Sequence, residues 1–137
     1  MKSLPIVLFT VLCGCSSQAN LLVGTWEFDA EKTQRGLQLN PKTPKALSEC
    51  YKQKLCGNGV FIYESDQWRQ ISTAITNVPD TAIPYTVISI LGDQVVIETR
   101  VQAKISKEIF HFINDNENYI DLESSDFKWR EYFRRLR

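Results

Sequence analysis

Four cysteines and a single histidine are the side chains best suited to chemistry, and their spacing limits what that chemistry is. Cys50 and Cys56 stand six residues apart, and with the distant His111 they do not make the four-ligand set of a zinc site. For acid–base work His111 needs a nucleophile or substrate group beside it, and the sequence offers none. Asp115, Glu117, Asp121, Glu123 and Asp126 carry oxygens suited to calcium, yet they alternate with strand-like residues and lack the loop spacing of a calcium site. No Gly-x-Ser-x-Gly, His-Glu-x-x-His or glycine-rich phosphate loop occurs. The expectation is a non-catalytic protein without metal or cofactor.

Lys and Arg number 16, as do Asp and Glu, so no basic excess points to nucleic acid. The N-terminus is different in kind. Met1-Lys2 is followed by an apolar run, Leu4 to Leu12, of roughly nine residues, too short to span a bilayer and right for a secretory leader. Leu12-Cys13-Gly14-Cys15 follows, with a small residue directly before the second cysteine. This segment resembles the bacterial lipoprotein leader; the alternative is an ordinary secretory peptide cut elsewhere. The resemblance implies a signal peptide over 1–14, a diacylglyceryl (palmitate-type) anchor on Cys15, a short tether over 15–20 and a folded domain over 21–137. Two or three acyl chains hold far more firmly than one. Ser16 after the lipid site favours the outer membrane, facing the periplasm, over retention in the inner one. The tether from Ser16 to Asn20 reaches on the order of 17 Å, so the domain is expected close to the membrane surface.

Once that processing is accepted, Cys13 is lost, Cys15 is acylated, and Cys50 and Cys56 remain as an even pair in an oxidising compartment. A disulfide is then expected. On one helix the rise alone would separate them by about 9 Å, beyond the roughly 7 Å a disulfide tolerates. Cys56 must therefore lie past the helix end.

The elements that would position these residues follow from periodicity. Leu22, Gly24, Trp26 and Phe28 share one face of a first strand. Asp29 to Gly36 is polar, with room for a helical turn. Thr43-Pro44 reads as N-cap and first helical position, and Leu47, Cys50, Tyr51 and Leu55 recur at helical spacing, so one helix is expected from Pro44 to about Leu55. The rest reads as strands over 59–64, 68–76, 84–91, 94–101, 107–113, 119–123 and 127–135, about eight with the first. Two-residue turns at Gly92-Asp93 and Ser124-Ser125 would pair Ile90 with Val95, Ile88 with Ile97, Leu122 with Phe127 and Ile120 with Trp129, leaving Val87, Tyr85, Asp121 and Lys128 on the polar face. A loop in 114–118 would set Phe112 opposite Ile120 and His111 opposite Asp121, within a surface polar ladder.

Gly24-Thr25-Trp26 on the first strand, an all-β meander behind it and an arginine-bearing last strand resemble the lipocalin-like (calycin) barrels. The resemblance implies an antiparallel up-and-down barrel, with Gly24 and Trp26 at its closed end beneath an arginine drawn from Arg130, Arg134 and Arg135; Arg134 is taken as the signature residue. An open β-sandwich is the alternative. Phe110, Phe112, Phe127 and Trp129 are candidate ligand-lining residues if the barrel is hollow, and filled core if it is not. Two functions remain open: binding a small apolar or amphipathic ligand in the envelope, or a structural or interaction role, such as an envelope accessory or an inhibitor of a lytic enzyme. The basic run Lys128, Arg130, Arg134, Arg135 and Arg137 is a candidate surface for anionic headgroups.

Overall fold

The computed structural model describes residues 20–71 and 81–137. Eight antiparallel strands close in chain order, each bonded to the next and β8 back to β1. They are β1 (Gly24–Phe28), β2 (Val60–Tyr63), β3 (Gln67–Ile71), β4 (Ile83–Leu91), β5 (Gln94–Val101), β6 (Lys104–Asn114), β7 (Glu117–Ser124) and β8 (Phe127–Arg135). The end of the strand expected over 68–76, like the leader and lipid site, falls outside the described residues.

Between β1 and β2 lie two helices rather than one: α1 (Ala30–Leu39) and α2 (Lys45–Lys52). The polar stretch after β1 forms α1 because Asp29 caps it, its Oδ1 accepting from the Lys32 N–H at 3.0 Å, and because Thr33 and Leu37 bury against the barrel. α2 starts one residue later than expected and ends at Lys52. Thr43 does not cap it; its hydroxyl donates instead to the Leu37 carbonyl at 2.6 Å, tying the two helices together. Cys50 is bonded to Cys56 beyond the helix end, with Cα atoms 5.3 Å apart. The returning chain is close-packed: at Gly57, φ is +59° and an added Cβ would overlap the rings of Phe28 and Tyr51.

The hairpins keep the expected faces with three differences. Ile90 does pair with Val95, but a bulge at Ile88 puts Val87 opposite Ile97. From there toward the start of β4 the faces exchange: Tyr85 is buried and Ile88 is 45% exposed. One extra residue reverses every side chain beyond it. The last turn is Ser125-Asp126, so Leu122 faces Trp129 and Asp121 faces Arg130; Ser125 takes the positive φ of 45° that this turn needs. The turn before it is Asp115-Asn116, which sets Phe112 opposite Asn118 and His111 opposite Tyr119. Both shifts are by two residues, so inward residues stay inward.

Candidate functional site

At one end of the barrel Trp26 is 1% exposed and its indole N–H donates to the Leu22 carbonyl at 2.8 Å. The arginine above it is Arg135, not Arg134, with its guanidinium carbon 4.3 Å from the ring centroid. That guanidinium also donates to the carbonyls of Leu21 (2.6 Å), Val23 (2.9 Å) and Asp115 (2.9 Å), which joins the chain entering β1 to the β6–β7 turn. Gly24 is required beneath it: its φ is +146°, and a Cβ there would collide with the same guanidinium. Arg134 points outward and pairs with Glu27. Arg130 is likewise engaged, 2.9 Å from Asp121 and over the Tyr119 ring. Three members of the basic run thus have partners within the protein.

Above this plug the core combines aliphatic side chains, Val95 and Ile97 among them, with several groups of rings in contact. Trp26 meets Phe112 edge-on, and Tyr63 meets Phe110, Tyr85 and Trp68. Phe61 meets Phe133, which meets Phe28, which stacks on Tyr51 of α2. The candidate ligand-lining residues therefore separate. Phe110 and Phe112 belong to the buried core at 3% and 6% exposure. Phe127 and Trp129 lie toward the opposite end, half-buried and stacked on each other at 6.0 Å.

That opposite end is built differently. The Trp129 indole N–H donates to the Tyr51 hydroxyl at 2.8 Å, and Tyr51 is hydrogen-bonded in turn to Glu131. Burial first, and then the charge of Glu131, push the Tyr51 phenol up to about 12. Glu131 on β8 and Glu108 on β6 both carry inward parity. Burial raises each carboxyl above its ordinary value; for Glu131 the Tyr51 hydrogen bond opposes this and the charge of Glu108 adds to it. The sequence contained this signal: Glu131 alternates with Trp129 and Phe133, and Glu108 with Phe110, so the apolar face was never wholly apolar.

Beside this end, α1 leans on the free edge of β8. The β1 ladder stops at Phe28–Phe133, and α1 takes over for one residue: the Asp29 N–H donates to the Tyr132 carbonyl (2.8 Å), and the Tyr132 N–H to the Thr33 hydroxyl (3.0 Å). Past Thr33 the helix and strand part, leaving a cleft of about 210 Å³ with Gly36, Leu37 and Asn40 on one wall and Phe127 to Arg130 on the other.

His111 stacks on Tyr119 at 4.8 Å, with Nε2 3.6 Å from Asp121 and Nδ1 3.4 Å from Gln94. It is one member of an outward row, Gln94, His111, Tyr119 and Tyr132, each opposite the next. Among the described residues no group of three or more His, Cys, Asp or Glu is placed to hold a metal ion. Among them also, no helix is long and apolar enough to cross a membrane. No model of a known protein family matches the chain, and no curated protein matches it at a significant level.

Proposed function

We propose that this is a bacterial envelope lipoprotein, anchored through Cys15, whose lipocalin-like barrel is a non-catalytic interaction module working from its outer surface. The observation that carries the reading is the packed core that runs from Trp26 through Phe133 to Tyr51, apolar side chains standing where a lipocalin-type ligand would need room. The leader sequence supports the anchor. The place of Asn20 supports the orientation: its amide donates to the Tyr85 hydroxyl at the plugged end, so the tether would leave from that end. The end bearing the helices would then face away from the membrane, where a partner could reach it. A role as envelope accessory or as inhibitor of a lytic enzyme fits such a surface. The half-buried Phe127 and Trp129 favour a second reading, a small apolar or amphipathic ligand taken at the helix-bearing end.

Native mass spectrometry of detergent-extracted protein tests both parts. The expected species is the chain from Cys15 with its acyl groups and nothing else of small mass. A stoichiometric retained ligand would overturn the filled-core reading in favour of the second, and an unacylated Cys15 would overturn the anchor.

A further inference from the structure

Gly36 is the anomaly. It sits inside α1, where glycine weakens a helix relative to alanine because it loses more backbone freedom on folding. No local geometry demands it: a Cβ at Gly36 would meet nothing within 4 Å. What the missing side chain provides is room in the cleft between α1 and β8, which Gly36 lines.

The facing wall is an unfinished sheet edge. In β8 the even-numbered residues direct their backbone groups away from β7: Tyr132 bonds to Asp29 and Thr33 on that side, and Arg130 and Lys128 share its parity. Among the described residues no backbone hydrogen bond closes that side of Arg130 or Lys128. From Lys128 to Tyr132 this edge runs about 13 Å. Open edges are usually covered or blunted, because they template strand pairing. Here the cover stops one residue short of Arg130, at the point where glycine replaces a side chain. Leu37, Phe127 and Trp129 supply an apolar floor. Among the described residues the charged ones lining the cleft are Lys128 and Arg130; Arg130 is held by Asp121, which leaves Lys128, for which no ion pair is found, as the cation open to a partner.

We infer that the α1–β8 cleft receives an extended segment of a partner protein, which adds to the β8 edge at Lys128 and Arg130 and carries an acidic side chain toward Lys128. Backbone pairing supplies the affinity common to strand addition, and the apolar floor with Lys128 selects the sequence. Gly36 keeps the channel wide enough for a backbone to pass. The inference rests on the exterior-surface reading above and gives that surface a location and a partner chemistry.

A library of random decapeptides displayed against the detergent-extracted full chain is the probe. Enriched peptides are expected to be acidic and extended, to slow hydrogen exchange at the Lys128 and Arg130 amides, and to bind more than tenfold more weakly to Gly36→Leu. That variant should melt no lower than the parent, since leucine favours helix and its Cβ meets nothing within 4 Å. N-methylation of alternate peptide amides should abolish binding in one register and spare it in the other, a pattern that packing without strand pairing does not produce. No enrichment, enrichment without protection of those two amides, or equal binding to Gly36→Leu overturns the inference. The two readings fail separately. A small ligand retained in native mass spectrometry removes the exterior reading, whereas a ligand-free barrel whose Lys128 and Arg130 amides stay unprotected removes only the strand addition.

Discussion

The two ends of the barrel meet the same problem, an opening that exposes core and backbone, with different chemistry. The plugged end uses large rings and one cation: Trp26 and Leu22 fill it, and Arg135 spans Leu21, Val23 and Asp115 with each guanidinium nitrogen donating one bond. The other end uses separate parts: two helices, a disulfide, a Trp129–Tyr51–Glu131 hydrogen-bond chain and half-buried carboxyls whose pKa values are raised. The first is a single packed unit, in which loss of one member exposes the rest. The second is modular and incompletely sealed, which is where a protein has latitude to bind something else.

This contrast is open to attack. Trp26→Ala should cost most, about 3–5 kcal/mol as for other large-to-alanine changes in cores; urea melts followed by circular dichroism would show it. A loss similar to that of Trp129→Ala at the other end would erase the contrast. Removing the disulfide as Cys50→Ser with Cys56→Ser should cost about 2 kcal/mol by loop entropy. Hydrogen exchange should quicken in α2 and the chain up to β2 while the β5–β6 core stays protected. Global acceleration would mean the helical end is no separate module. Arg135→Ala should cost about 2 kcal/mol, because several charge-assisted bonds go together. Arg134→Ala removes one exposed ion pair with Glu27 and should cost about 0.5 kcal/mol; a reversed order would unseat Arg135 from its place over Trp26.

The smallest effect concerns pH. Glu131 has a raised folded-state pKa, so its contribution to stability is fully present below the ordinary glutamate range. It is lost as pH climbs through that range toward the raised value, because the unfolded chain releases the proton first. Glu131→Gln should therefore melt slightly higher than the parent at neutral pH, and the difference should vanish near pH 4. A lower melting temperature at neutral pH would show that the bond from Tyr51 outweighs the cost of burying the charge.

Much of the fold was legible in alternation. Leu22, Trp26 and Phe28 on β1, and Phe110 and Phe112 on β6, announce their faces, and a two-residue error in hairpin register leaves those faces intact. The bulge at Ile88 was not legible. Nothing local distinguishes it from a regular strand, and it shows only in how β4 pairs with β5. α1 was hidden for a different reason. Its residues are largely polar, and what holds it is the unmet edge of β8 some hundred positions away. Of the cleft, Phe127, Trp129, Lys128 and Arg130 drew notice in the sequence, whereas Gly36 marked no more than the end of a polar stretch.

By itself the sequence determined the Cys50–Cys56 pairing, most of the strand faces and the number of strands, because each is set by neighbours a few residues away. Only the tertiary structure decided which arginine covers Trp26, which rings meet inside the barrel, that Glu108 and Glu131 come close enough to influence each other, and that α1 leaves part of the β8 edge open. Those are properties of closure. They depend on which residues distant in the chain arrive at the same level of the barrel, and local periodicity carries no information about that.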